Sequence, residues 1–126
     1  MKSMVLLVDD VPGSQESTSA LLTAEGYDVS AASDGELALK AVAERLPAAI
    51  VYRILEPANA VIDFVRRLAF QRSTAVVPVV MLTALNEYQL GSFLNGVPGV
   101  RRIVVSPCEP EVLLAAVALA VKHSKR

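Results

Sequence analysis

The feature that most limits what this chain can fold into is a rhythm. Short apolar runs rich in β-branched residues alternate with longer stretches of helical period. The strand candidates are Met4–Val8, Tyr27–Ala31, Ala49–Arg53, Val77–Leu82 and Ile103–Val105. Most lack strict alternation, as strands covered on both faces do. Tyr27–Ala31 alternates more and suits a sheet edge. The intervening segments carry helix signals. Pro12 fits the first turn of a helix running to Gly26, a C-terminal stop. Ser33-Asp34-Gly35-Glu36 reads as a capping box opening a helix through Leu46, and Pro47 forbids continuation. Val61, Phe64, Val65 and Leu68 recur at i, i+3, i+4 and i+7, which gives one apolar face. Asn86–Asn95 is a weaker helix ending near Gly96, and Pro110 starts a last helix to about His123. Five strands alternating with helices predict an α/β domain with a parallel sheet, doubly wound with helices on both faces.

With 126 residues the chain suits a single domain over 1–126, closed by a basic tail from about Lys122 to Arg126. An apolar content of 53% excludes a disordered chain. Twelve Lys and Arg against 13 Asp and Glu give a net charge of -1, so neither nucleic acid nor a membrane is an expected partner. Cys108 is the one cysteine and His123 the one histidine, which excludes an internal disulfide and a Cys/His zinc site. Five apolar residues, Met4 to Val8, precede Asp9, too few for a signal-peptide core. No apolar run approaches the roughly 18 residues of a membrane span. The expected location is the cytoplasm.

In open α/β sheets, ligands bind beyond the carboxyl ends of the strands. Here those ends carry Asp9-Asp10, Arg53, Thr83 and Ser106. Adjacent aspartates can hold a hard cation through oxygen and water ligands. They can equally cap the following helix, whose dipole favours negative charge. Thr83 suits a strand-end cap.

Val8-Asp9-Asp10 after the first strand, Glu56-Pro57 after the third, Met81-Leu82-Thr83-Ala84 at the fourth and Ser106-Pro107 after the fifth keep one spacing. In this the chain resembles the receiver domain of bacterial two-component response regulators, in register from Met4 to about Lys122. The resemblance implies a flavodoxin-like (CheY-like) (βα)5 fold with strand order 2-1-3-4-5. In that family the acid pair binds Mg²⁺ and an Asp ending the third strand is phosphorylated. A Thr or Ser ending the fourth strand bonds the phosphoryl group, and a Lys before a Pro ends the fifth. Asp9 and Asp10 match the acid pair, and Thr83 matches the hydroxyl residue. The loop proline, four residues after the family's phosphorylated Asp, is Pro57, so the phosphoacceptor position falls on Arg53. Ser106 stands in place of the lysine, Ile103 where the family often has a switch aromatic, and Ala58-Asn59-Ala60-Val61 in place of a Gly-rich turn.

Phosphoryl transfer needs a carboxylate oxygen in line with the phosphorus and a metal to neutralise charge. A guanidinium stays protonated and is no nucleophile. Glu56 lies beyond the strand end, Tyr52 points to the opposite face and Asp63 sits in a helix, so none replaces the acceptor. Two Asp and one Arg already hold a cation where the family has a metal ligand. The expectation is Arg53 hydrogen-bonded to Asp9 or Asp10 in a structural pocket, with no catalytic residue, no enzyme activity and no cofactor beyond weakly bound Mg²⁺. The expected function is a phosphorylation-independent signal-transduction module acting by protein–protein interaction. The alternatives are a phosphorelay receiver modified at an unexpected residue and a flavodoxin-like binder of a small ligand. The strand-end loops lack a phosphate-cradling Gly/Ser/Thr-rich turn, which counts against flavin mononucleotide.

From Val112 to Val121 the last helix has no charge. A helix apolar all round is covered on more than one side, although Ala is also common on exposed helices. Receivers commonly dimerise or dock partners through their fourth helix, fifth strand and last helix. Ile103, Leu113, Leu114, Val117 and Val121 are therefore the candidate interface for a homodimer or another protein partner.

Overall fold

The run Met4–Val8 forms strand β1, and all five of its residues are buried. In the computed structural model, which describes residues 2–54, 59–83, 100–105 and 109–124, four more strands join it. These are β2 (Asp28–Ala32), β3 (Ala49–Ile54), β4 (Val79–Thr83) and β5 (Val100–Val105). The sheet is parallel throughout, in the order β2-β1-β3-β4-β5. The least apolar strand, β2, takes an edge, where only β1 pairs with it.

Side-chain alternation divides the interior into two cores. Met4, Leu6 and Val8 face one way, with Ile50, Tyr52, Val79 and Met81 from the neighbouring strands. Over them pack α2 (Gly35–Glu44), through Ala38 and Val42, and α3 (Asn59–Ala69), through Phe64, Val65 and Leu68. Val5 and Leu7 face the other way with Val51, Val80 and Leu82. Leu22 of α1 (Pro12–Ala24) and Leu113, Ala116, Val117, Ala120 and Val121 of the C-terminal helix (Pro110–Ser124) cover that side. A four-residue helical turn, α4 (Arg72–Ala75), joins α3 to β4, so the C-terminal helix is α5. No helix among the described residues is long and apolar enough to cross a membrane.

Local chemistry sets the helix ends. Pro12 occupies the first turn of α1. At its other end Gly26 adopts φ 96°, its N–H donating to Thr23 O while Tyr27 N–H donates to Leu22 O. That pair of bonds is a Schellman stop, and only glycine takes such a φ without strain. Tyr27 is thereby used in the stop, and β2 begins one residue later than its alternation suggests. The capping-box expectation needs correction. Asp34, not Ser33, caps α2 by accepting from Leu37 N–H at 2.9 Å, and Glu36 instead pairs with Arg67 of α3. The α2 helix stops at Glu44, short of Leu46.

The interface expectation also needs correction. Leu113, Val117 and Val121 are buried against the sheet and Leu114 is partly buried against the same core. The uncharged run spans the buried face of α5 and its small, Ala-rich outer face together. The outward positions are Val112, Ala115, Ala118 and Leu119. Ile103 is placed on β5, in register with Met81. The helix expected over Asn86–Asn95 and the residues Glu56, Pro57, Ser106, Pro107 and Cys108 lie outside the described residues.

Candidate functional site

Beyond the carboxyl ends of β1 and β3 the sheet order reverses direction, the position where α/β sheets form a crevice. Asp9 follows β1 there and is 2% exposed, while Asp10 is exposed. Both oxygens of Asp9 are engaged. Oδ1 accepts from Val11 N–H at 2.9 Å, closing the turn into α1, and Oδ2 accepts from Ser14 Oγ at 2.6 Å. Its backbone is held as firmly, since Asp9 N–H donates to Ala32 O at 3.0 Å and Gln15 Nε2 donates to Asp9 O at 2.9 Å.

Arg53 enters from β3, in register with Leu82 of β4. Alternation sends Tyr52 into the α2–α3 core and Arg53 to the α1 side. Its Nη1 donates to Ser14 Oγ and lies 3.8 Å from Asp9 Oδ2. The expected bond from Arg53 to an aspartate is therefore replaced by a relay in which Ser14 accepts from the guanidinium and donates to the carboxylate. Asp10 makes no ion pair with Arg53 among the described residues. The reason is geometric. The first turn of α1 brings Ser14 back over Asp9 and places its hydroxyl between the two charges. The Arg53 side chain is 26% exposed, so one side of the pair is wet and the other is sealed.

Thr83 ends β4 and is buried, in register with Ile54 and Val105. The structure thus gathers Asp9, Arg53 and Thr83 at one end of the sheet, with Ser14 and Gln15 added. Sequence reasoning missed those last two. The signal was a hydroxyl and an amide five and six residues after a strand-end aspartate, in the first turn of a Pro-initiated helix. Among the described residues, no three His, Cys, Asp or Glu side chains gather as a metal site.

On the opposite face, Tyr52 packs against Phe64 with ring centroids 5.1 Å apart and planes tilted by 54°. Burial raises the Tyr52 hydroxyl pKa above its ordinary value, and the carboxylates of Asp34 and Asp10 raise it further.

Residues 5–118 match the family model of the response regulator receiver domain. The chain is 32% identical over 125 residues to the DNA-binding response regulator MtrA of Mycolicibacterium smegmatis, covering 99% of this chain and 53% of that protein. It is 33% identical over 118 residues to the response regulator PleD of Caulobacter vibrioides, covering 93% of this chain and 26% of that protein. The chain thus spans about half the length of the first relative and about a quarter of the second. Among solved structures, the chemotaxis protein CheY4 of Vibrio cholerae superposes with a TM-score of 0.85 at 27% identity, over 95% of this chain and 99% of that one. Fold, strand order and sequence agree: the chain belongs to the response regulator receiver family, the signal-transduction module of two-component systems.

Proposed function

We propose that this receiver domain signals through protein contacts and takes no phosphoryl group on an aspartate. The observation that carries the reading is the Arg53 guanidinium, anchored by Ser14 beside the buried carboxylate of Asp9. By the spacing to Pro57, Arg53 stands where the family has its phosphoacceptor. A guanidinium cannot attack phosphorus at any ordinary pH.

The donor set also fits Mg²⁺ poorly. That ion needs near-octahedral oxygen ligands at about 2.0–2.1 Å. Both Asp9 oxygens already accept protein hydrogen bonds, and a fixed cation lies 3.8 Å from one of them. Metal entry would set two positive charges side by side and break the Ser14 bond. In this reading Arg53 is a permanent internal counter-ion, Thr83 ends its strand without a phosphoryl partner, and the pocket does not switch. Partner contact falls on the outward side of α5, at Val112 and Leu119, in place of the buried residues first expected there.

Incubation with acetyl phosphate and Mg²⁺, read by intact mass, tests this. Wild type is expected to stay unmodified, while Arg53→Asp gains one phosphoryl group. A phosphorylated wild type would refute the reading. So would submillimolar Mg²⁺ affinity in calorimetry.

A further inference from the structure

Asp9 and Asp10 are neighbours in the chain but differ in how open they are. Asp10 is exposed and makes no ion pair among the described residues. The Asp9 side chain has no exposed surface, and Arg53 is only one of the groups that enclose it. Its Oδ1 accepts from Val11 N–H at 2.9 Å and its Oδ2 from Ser14 Oγ at 2.6 Å. The second bond falls in the range of about 2.5–2.7 Å that marks a strong hydroxyl–carboxylate contact. Both of its ends are tied down. Gln15 N–H donates to Val11 O at 2.8 Å, which closes the turn that carries Ser14, and Gln15 Nε2 donates to Asp9 O at 2.9 Å.

A serine hydroxyl has one proton to give. Ser14 accepts from Arg53 and gives that proton to Asp9, so guanidinium and hydroxyl hold the carboxylate in series. Removing Arg53 takes away the cation but leaves the Ser14 donor on Asp9 Oδ2. Removing Ser14 leaves the guanidinium 3.8 Å from the same oxygen, near enough to close onto it. Either side chain therefore bars a hard cation from Asp9 in the absence of the other.

Building on the reading of Arg53 as a fixed counter-ion, we infer that Ser14 is a second, independent determinant of metal exclusion. Its hydroxyl withholds Asp9 from Mg²⁺ even when position 53 carries a carboxylate. Mg²⁺ is commonly held by one or two carboxylates with water completing the shell. Arg53→Asp alone therefore offers that ion Asp10 and the introduced carboxylate, enough for weak binding and for phosphoryl uptake at saturating Mg²⁺, while Asp9 stays closed. Ser14 acts through Asp9 and touches no metal, which makes it a positioning residue.

Calorimetric titration with Mg²⁺ of wild type, Ser14→Ala, Arg53→Asp and the double variant tests this. Wild type and Ser14→Ala are expected to show no submillimolar binding. Arg53→Asp is expected to bind weakly, and the double variant about tenfold more tightly, as release of one hydrogen bond to a charged group implies. Combining Arg53→Asp with Ser14→Thr, which keeps the hydroxyl, should return the affinity to that of Arg53→Asp alone. A merely structural Ser14 would leave the affinity of the double variant unchanged or lower it. Circular dichroism checks folding, and if the double variant unfolds, Ser14→Cys, similar in size and a weak donor, takes the place of Ser14→Ala. No gain from Arg53→Asp to the double variant, including binding by neither, overturns the inference while the Arg53 reading stands. Tight binding by Ser14→Ala alone also overturns it, because Arg53 would then be no barrier of its own. Submillimolar binding by wild type overturns the Arg53 reading and this inference with it.

Discussion

Replacing Ser14 by Ala removes the one atom that joins Arg53 to Asp9. Two charge-assisted hydrogen bonds go, the donation to Asp9 Oδ2 at 2.6 Å and the acceptance from Arg53 Nη1. Bonds to charged groups contribute about 1.5–3 kcal/mol each. Three effects reduce the simple sum. Arg53 is partly in solvent, so water takes over from Ser14 on that side. Its Nη1 starts 3.8 Å from Asp9 Oδ2 and can close the gap. Alanine is also the better residue inside α1, by about 0.5 kcal/mol. The net expectation is a loss of about 1–2.5 kcal/mol, most of it from the sealed Asp9 side. With a urea dependence of about 1–3 kcal/mol per molar, the unfolding midpoint falls by roughly 1 M. The assay is urea unfolding of wild type, Ser14→Ala, Arg53→Ala and the double variant. Within the relay the two substitutions should couple by about 0.5–3 kcal/mol, as contacting residues do. A midpoint shift below about 0.2 M with zero coupling would refute the relay as a stabilising element.

Tyr52 predicts a pH dependence of stability. Its hydroxyl pKa is raised in the folded state above the ordinary 10.0, first by burial and then by Asp34 and Asp10. Above the ordinary value the unfolded chain loses this proton before the folded one does, so stability falls as pH rises through that window. Stability measured from pH 9 upward should decline less steeply in Tyr52→Phe than in wild type, and equal slopes would contradict the assignment. The two faces of α5 predict a contrast. Leu113→Ala, on the buried face, should cost about 2–4 kcal/mol. Leu119→Ala, on the outer face, should cost less than about 1 kcal/mol. Similar losses in denaturant unfolding would mean that the outer face is covered as well.

The central strands were legible because β1, β3 and β4 are apolar on both faces, and no surface helix of this length reads that way. The ends were less so. Tyr27 has a good strand side chain, but its N–H is committed to the helix stop at Leu22. At β5 the strand begins at Val100, and Arg101 and Arg102 hid that start from an apolar count. Four residues are too few to show a helical period, so Arg72–Ala75 left no signal. At the site, spacing alone placed Arg53 near Asp9. Ser14 was invisible because its role depends on how the first turn of α1 folds back over the strand end. In α5 the sequence does not separate the buried face from the outer one, because Ala115 and Ala118 on the outside are as uncharged as the residues inside.

A strand buried on both sides has one weakness, and Asp9 answers it. Where one face is polar, a one-residue slide of a strand is forbidden because it turns polar side chains inward. In β1 the two sets, Met4, Leu6 and Val8 against Val5 and Leu7, are equally apolar, so hydrophobic pattern alone does not forbid the slide. What forbids it is the next residue. Moved back by one, Asp9 would take the place of Val8, between Ala32 and Tyr52, inside an apolar layer. The carboxylate would be drawn away from Ser14 Oγ and from the Arg53 guanidinium into that layer, at a cost of several kcal/mol for a buried charge. Asp9 thus acts as a doorstop for the central strand, and it has that task whether or not any phosphate ever reaches the pocket.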